Sequence, residues 1–211
     1  MTSARHVRPL CVKVCGITRA EDAALAVEAG ADLLGFNFYA ASPRCVSTAL
    51  AASIVRTLPR HVLAVGIFVN PEADAVRRAV EMAGIALLQF HGDEPPEFCR
   101  AFAVPAMKVL RVARLADLYK AARAYPDEWL VADTADPLLY GGTGRALAVE
   151  PVAGTLARRL FVAGGLKPET VADVVRMLRP LGVDVCSGVE RSLGVKDPER
   201  VRSFVINAKA A

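Results

Sequence analysis

Short apolar runs alternate with amphipathic stretches along the whole chain. The runs are apolar almost throughout, which is typical of strands in a parallel sheet that helices cover. Eight runs predict strands: Val12–Cys15, Leu33–Phe38, Val62–Phe68, Ile85–Phe90, Ala106–Leu110, Trp129–Ala132, Leu160–Ala163 and Val183–Cys186. The stretches that follow them predict eight helices: Arg19–Glu28, Thr48–Leu58, Pro71–Ala83, Pro96–Phe102, Ala116–Ala124, Pro151–Leu156, Pro168–Leu178 and Pro198–Asn207.

Local signals mark several of the helix ends. Thr18 and Glu21 have the S/T-x-x-E spacing of a capping box before the first helix. Ser47 precedes the second helix, and Asn70-Pro71 offers a cap followed by proline at the first helical position. Gly84 stands where the third helix is predicted to end. These signals support the alternation of strand and helix.

Eight strands in strict alternation with eight helices predict an α/β fold, a single (β/α)8 TIM barrel spanning residues 1–211. The alternative is a doubly wound open sheet, which usually has fewer strands and a G-x-G-x-x-G pattern after the first. This chain has Cys15-Gly16-Ile17-Thr18 at that position. The barrel is therefore the favoured architecture.

Composition narrows the functional classes. The chain is 54% hydrophobic, so it is expected to fold. Its net charge of +4 is mildly positive and suits a small anionic substrate. The arginines are scattered over predicted helix faces, which argues against nucleic-acid binding. The five cysteines form no C-x-x-C, which argues against a disulfide framework or a zinc site. With no apolar run of signal or membrane-spanning length, we expect a cytoplasmic protein without membrane association.

Polar and glycine-rich segments follow the predicted strands at the end of the barrel where active sites lie. These segments are Cys15–Thr18, Ser42–Arg44, His91–Glu94, Asp133, Gly141–Gly144, Gly164–Leu166 and Ser187–Glu190. Cys15 and Asp133 are the titratable groups best placed for proton transfer. The structural alternatives are a small buried hydrophobe for Cys15 and a turn or capping residue for Asp133.

Two glycine-containing turns follow the seventh and eighth strands, at Gly164-Gly165 and at Ser187-Gly188. Glycine lets backbone N–H groups approach an anion closely, and the loops after these two strands are the recurrent phosphate site of the fold. The alternative is that the glycines only make tight turns. Phosphate binding is favoured, which predicts a sugar phosphate as the substrate.

Two further residues have open alternatives. Lys13 has the strand parity of Cys15, so its side chain is expected inside the barrel, paired with Asp184 or solvated at the bottom of the barrel. His91 is expected either to bind substrate or to hydrogen-bond within its turn.

The combined pattern resembles the phosphoribosylanthranilate isomerase family from about Val12 to Asp197. The motifs that carry the resemblance are Lys13–Thr18, Gly35-Phe36, Ser42–Arg44, Val65–Asn70, Gln89–Glu94, Asp133, Gly141–Gly144, Ala163–Leu166, Asp184–Glu190 and Gly194–Asp197. Their order and spacing together make the match specific. One departure is Arg145–Ala148, which stands where the family commonly has a Phe-Asp-Trp segment.

The resemblance implies an enzyme of tryptophan biosynthesis that performs an Amadori rearrangement, an aldose–ketose isomerisation, without a metal or an organic cofactor. Its partner is a small phosphorylated substrate, and the protein is a monomer or a homodimer. The resemblance implies Cys15 as general base, Asp133 as general acid and Arg44 as the group that binds the anthranilate part of the substrate. It also implies Gly164, Gly165, Ser187 and Gly188 as the phosphate site, and His91, Gly142 and Gly144 are further candidates for substrate binding.

Two other functions remain as alternatives. One is another sugar-phosphate isomerase of the same barrel group, such as the dual-substrate histidine and tryptophan enzyme, which usually has Asp where this chain has Cys15. The other is a non-catalytic barrel that binds a phosphorylated metabolite, which only the departure at Arg145–Ala148 supports.

Overall fold

The computed structural model describes residues 10–112, 115–133 and 154–211. Eight parallel strands follow the predicted order: β1 Cys11–Val14, β2 Leu33–Asn37, β3 Leu63–Phe68, β4 Leu87–Phe90, β5 Ala106–Arg111, β6 Trp129–Asp133, β7 Leu160–Ala163 and β8 Gly182–Val185. Helices alternate with them: α1 Ala20–Glu28, α2 Thr48–Val55, α3 Ala73–Ala83, α4 Pro96–Cys99, α5 Leu115–Ala122, α6 Gly154–Ala157, α7 Val171–Leu178 and α8 Pro198–Lys209.

The eight strands close into a barrel, which confirms the predicted (β/α)8 fold and rules out the open sheet. Each strand pairs in parallel with the next, and β1 pairs with β8 to complete the circle. At this seam Lys13 lies opposite Asp184, and Val14 lies opposite Val185. The closure brings the ends of β1 and β8 side by side, although they are about 170 residues apart in the chain.

Apolar side chains fill two layers, as strand geometry requires, because alternate residues of each strand point to opposite faces. One layer fills the barrel interior: Leu33, Val65, Leu87, Met107, Val109, Val131, Phe161 and Ala163. The other lies between the strands and the helices around them, where Leu34, Phe36, Leu88 and Phe204 are among its buried members. The interior layer supports the polar groups above it at the carboxyl ends of the strands.

A buried ion pair crosses the β1–β8 seam inside the barrel. Lys13 Nζ lies 2.8 Å from Asp184 Oδ2, with the two side chains 0% and 7% exposed. Burial by itself lowers the pKa of Lys13, but the Asp184 carboxylate and the Cys15 side chain raise it above its ordinary value. Burial raises the pKa of Asp184 to about 6, against the opposing effect of Lys13. The predicted pairing of Lys13 with Asp184 is confirmed, and the solvated alternative is wrong.

Two of the predicted helix caps are wrong. α1 begins at Ala20 with Arg19 at the capping position, while the Thr18 hydroxyl donates to the carbonyl oxygen of Gly194, 2.6 Å away. α3 begins at Ala73, because Asn70 has a positive φ of 45° and its side chain accepts from the backbone N–H of Asp93. In both cases a distant backbone partner competes with the local cap.

Two other predicted helix ends are confirmed, and two further element boundaries differ from the prediction by a few residues. Ser47 caps α2 as predicted, and Gly84 ends α3 in the left-handed conformation. α4 is shorter than expected, since it ends at Cys99. β8 ends at Val185, so Cys186 lies just beyond the strand in which it was predicted.

The segment after β8 contains structure that the hydrophobic pattern did not indicate. A 3₁₀ turn at Ser187–Val189 leads into two short antiparallel strands, β9 Glu190–Ser192 and β10 Val195–Lys196. This hairpin carries Glu190 and Lys196, and the Thr18 hydroxyl bond to Gly194 ties it to the loop after β1. The hairpin therefore places two charged side chains beside Cys186.

Candidate active site

A cavity of about 310 Å³ opens at the carboxyl ends of the strands. Its wall brings together residues that follow six different strands, including most of the predicted site: Cys15, Arg44, His91, Asp133, Gly164, Gly165, Ser187 and Gly188. Gly142 and Gly144 lie outside the described residues. Convergence of titratable and glycine-rich segments on one cavity is the arrangement expected of a barrel active site.

Cys15 stands at the end of β1, where its backbone N–H donates to Val185 O at 2.8 Å. A hydrogen bond from the Cys186 thiol lowers the pKa of Cys15 well below its ordinary value. Burial opposes this effect, and the ammonium groups of Lys13 and Lys196 reinforce it. The site thus favours a thiolate at Cys15, the form that can accept a proton.

Lys196 is fully buried and supplies the positive charge on the β8 side of the cavity. Its Nζ lies 3.1 Å from Glu190 Oε1, 3.1 Å from Cys186 O and 3.9 Å from Cys186 Sγ. A buried ammonium requires such partners, because burial without them is costly. Glu190 therefore holds Lys196 next to the Cys186 thiol.

Asp133 ends β6, on another part of the cavity wall from Cys15. Its Oδ2 lies 3.3 Å from His91 Nε2, and both side chains are about one third exposed (32% and 29%). A neutral imidazole can donate its N–H to the carboxylate or accept the proton of the carboxylic acid. His91 thus contacts the predicted acid itself.

A second buried ion pair holds the loop that carries His91. Lys108 Nζ lies 2.7 Å from Glu94 Oε2 and 2.6 Å from Gly92 O. Glu94 also accepts from the backbone N–H groups of Asn70 and Gly92. Burial disfavours the Glu94 carboxylate, but these donors hold its pKa below the usual range. The network ties the segments after β3 and β4 to β5.

Arg44 makes a bidentate ion pair within the protein. Its Nε lies 2.7 Å from Glu190 Oε1, and its Nη2 lies 2.6 Å from Glu190 Oε2. One edge of the guanidinium is therefore engaged by Glu190, which leaves the edge formed by Nη1 and Nη2 for another carboxylate.

Gly164 and Gly165 both have positive φ values, 87° and 65°, which other residues adopt only with strain. Gly188 has no room for a side chain, because a Cβ there would overlap the carbonyl oxygen of Leu166. The turns after β7 and β8 are thus packed backbone against backbone, and both border the cavity.

The model of the N-(5'-phosphoribosyl)anthranilate isomerase family matches residues 12–207. The chain belongs to this family. A member from Myxococcus xanthus, named N-(5'-phosphoribosyl)anthranilate isomerase, is 46% identical over 207 residues, which cover 94% of this chain and 96% of that protein. The family assignment confirms the predicted isomerase of tryptophan biosynthesis and disfavours both alternative functions.

Solved structures of the isomerase family share the fold. One is a phosphoribosyl anthranilate isomerase in complex with reduced 1-(o-carboxyphenylamino)-1-deoxyribulose 5-phosphate, with a TM-score of 0.83, 36% identity and coverage of 96% of this chain and 100% of that chain. Another shows monomers of the dimeric isomerase from Thermotoga maritima, with a TM-score of 0.80, 36% identity and the same coverage.

Two side-chain oxygens in this isomerase site are buried without a hydrogen-bond partner among the described residues, namely the amide Gln89 Oε1 and the carboxylate Asp184 Oδ1. Both residues line the cavity. Buried acceptors are normally paired, so these two indicate where donor groups of a ligand would be bound.

Lys196, Cys186 and Gln89 have no role predicted from the sequence, although their segments belong to the motifs that resemble the family. A charged or amide side chain inside an apolar strand or turn is a signal for Lys196 and Gln89. Cys186 gives no such signal, because its contact with Cys15 depends on the closure of the barrel.

No helix in the described ranges is long and apolar enough to cross a bilayer. In the same ranges, no three His, Cys, Asp or Glu side chains are grouped so that they could hold a metal ion.

Proposed function

We propose that this member of the isomerase family converts N-(5-phosphoribosyl)anthranilate into 1-(2-carboxyphenylamino)-1-deoxyribulose 5-phosphate, with Cys15 as the general base and Asp133 as the general acid. The observation that carries the proposal is that both groups line one cavity, at the ends of β1 and β6. A sugar bound between them would meet a proton donor and a proton acceptor at different positions on its ring.

Asp133 acts first, as a carboxylic acid that protonates the furanose ring oxygen. The ring opens to a Schiff base with the anthranilate nitrogen, and this cationic nitrogen acidifies the proton on sugar C2. His91 lies against Asp133 and can hold its carboxyl group toward the ring oxygen, or accept its proton between turnovers. The acid therefore has a hydrogen-bond partner in both protonation states.

Cys15 then removes the C2 proton as a thiolate, which gives an enolamine that tautomerises to the ketone. The hydrogen bond from Cys186 and the charges of Lys13 and Lys196 stabilise the thiolate before substrate arrives. The product of this step is a thiol, which is stable in the same partly buried position. Base strength is thus set by groups on β1 and on the segment after β8.

Three other parts of the cavity fit the remaining substrate groups. The free edge of Arg44 matches the anthranilate carboxylate, and Glu190 fixes the plane of the guanidinium. The turns at Gly164-Gly165 and Ser187-Gly188 leave backbone at the cavity surface for the phosphate. The unpaired oxygens of Gln89 and Asp184 match sugar hydroxyl donors.

The proposal is tested with Cys15→Ser and Asp133→Asn, which remove each proton-transfer group at nearly constant size. Each change should lower kcat by at least about 10²-fold, the usual contribution of a general acid or base, with the circular dichroism spectrum unchanged. Deuterium at sugar C2 should slow only the step that Cys15 performs. The wild-type gene should also restore growth of a tryptophan auxotroph that lacks only this isomerase.

Matched controls are Cys11→Ser, at the other end of β1, and Asp127→Asn, whose exposed side chain lies outside the cavity. Both should keep wild-type kcat. Full activity in Cys15→Ser or in Asp133→Asn would show that the role given to that residue is wrong.

A further inference from the structure

The second thiol at the cavity, Cys186, has no part in the proton transfers of the proposed reaction beyond its hydrogen bond to Cys15. Val14 pairs with Val185 across the β1–β8 seam, and Cys15 and Cys186 directly follow these two residues at the ends of the strands. Neighbouring strands lie about 4.8 Å apart, within the Cα–Cα range of about 4.4–6.8 Å that disulfides span. The strand register thus gives the two cysteines a backbone spacing that a disulfide can span.

The charges around the two thiols differ in a way that matters for oxidation. Cys15 lies beside the buried ammonium of Lys13, and hydrogen bonding from Cys186 favours its thiolate. The same hydrogen bond, together with burial, raises the pKa of Cys186 well above its ordinary value, so Cys186 stays a thiol. One nucleophilic sulfur therefore lies beside one protonated sulfur, the arrangement of an oxidation-sensitive cysteine with its resolving partner.

The other three cysteines lack this arrangement. Cys45 is exposed, and the acceptor of its thiol is the carbonyl oxygen of Val46. Burial raises the pKa of Cys99 to about 11, and burial together with Asp32 raises the pKa of Cys11. Raised pKa values leave little thiolate for oxidation near neutral pH.

We propose that Cys15 and Cys186 form a peroxide-sensitive thiol pair, in which Cys15 is oxidised first and Cys186 closes a reversible disulfide across the cavity wall. The Cys15 thiolate attacks one peroxide oxygen, which breaks the O–O bond, gives a sulfenic acid and, with one proton, releases water. The Cys186 sulfur then attacks the sulfenic sulfur, the S–O bond breaks, and the thiol proton leaves with the hydroxyl as a second water. Peroxide is the oxidant, and a dithiol reverses the reaction.

The disulfide would remove the proposed base, so its effect on catalysis rests on the proposed function, whereas its formation does not. Without a resolving thiol, a sulfenic acid in excess peroxide goes on to sulfinic acid, which a dithiol does not reduce. Cys186 therefore also protects Cys15 from irreversible loss.

The test treats the full chain with hydrogen peroxide and measures free thiols, cross-linked peptides by mass spectrometry, and isomerase activity. Free thiols should fall from the five of the reduced protein to three. A peptide linking Cys15 to Cys186 should appear, and isomerase activity should fall in parallel. Dithiothreitol should restore the free thiols and the activity. Cys186→Ser should give no cross-link, and dithiothreitol should then restore little of the lost activity. Cys186→Ala provides the same test without a hydroxyl, and Cys11→Ser should behave as the wild type.

Inactivation with no Cys15–Cys186 peptide, or equal recovery in the wild type and Cys186→Ser, would overturn the thiol pair. A cross-link in a protein that has no isomerase activity even when reduced would support the thiol pair and refute the proposed function. An active enzyme in which no cross-link forms would support the proposed function and refute the thiol pair.

Discussion

The ion pair between Lys13 and Asp184 offers a direct test of how the barrel interior is stabilised. Both side chains are buried, and their charged atoms are 2.8 Å apart. Lys13→Met keeps the length of the side chain and removes its charge, which leaves the Asp184 carboxylate alone inside the barrel. The measurement is made at pH 8, above the pKa of about 6 that Asp184 has beside Lys13. Because Lys13 lowers that pKa, its removal raises the pKa of Asp184 further, and protonation of Asp184 limits the destabilisation of the variant.

Breaking a buried pair by removing one partner typically costs about 3–5 kcal/mol. For a domain of this size each kcal/mol lowers Tm by about 2–4 °C, so Lys13→Met should lower Tm by about 6–20 °C. Lys209→Met is the matched control, because Lys209 pairs with Asp32 at 3.1 Å with both side chains more than one third exposed. An exposed pair contributes about 0–1 kcal/mol, so this variant should change Tm by less than about 4 °C.

The double variant Lys13→Met with Asp184→Asn separates pairing from packing. No uncompensated charge remains in it, so its loss of unfolding free energy should be at least about 1 kcal/mol smaller than the sum of the two single losses. Thermal melts of the four proteins supply the cycle. A Lys13→Met protein as stable as the wild type, or strictly additive losses, would refute the view that the two charges stabilise each other.

Three further predictions concern the cavity and its supporting loops. Arg44→Lys cannot engage Glu190 and a carboxylate together, so steady-state kinetics should show KM raised by about 10- to 100-fold and kcat changed less; an unchanged KM would make Arg44 a scaffold residue. Ser187→Asp should raise KM at least about fivefold, since about 1 kcal/mol of repulsion from the phosphate is expected. Ser192→Asp, outside the cavity, is the control and should leave KM unchanged. Gly188→Asp cannot serve here, because any side chain at Gly188 would overlap the backbone of Leu166. Glu94→Gln should lower Tm at pH 7 by removing the partner of Lys108. The difference in Tm between the variant and the wild type should close as pH falls below about 4.5. The pKa of Glu94 is lowered by folding, so the stabilisation by Glu94 is present above the unfolded pKa and lost as pH falls through the folded pKa. A difference in Tm that persists in acid, or an equal difference in the exposed Glu97→Gln control, would contradict this.

The sequence by itself determined the order of strands and helices, because that order depends on hydrophobic period and on turn residues, which are local properties. β7 was predicted to the residue, and Ser47 caps its helix as expected. The Lys13–Asp184 pair could also be predicted, since strand parity and barrel closure together bring the two residues to one seam. The polar segments that follow the strands likewise indicated where the cavity would be.

Only the tertiary structure decided which side chains in that cavity touch. Thr18 and Asn70 have the sequence of helix caps, yet each bonds to a loop that is distant in the chain. The contacts of Cys15 with Cys186 and of His91 with Asp133 depend on strand register and side-chain direction across the closed barrel. The energy of such contacts comes from partners that closure brings together, and no local pattern of residues encodes the distance between them.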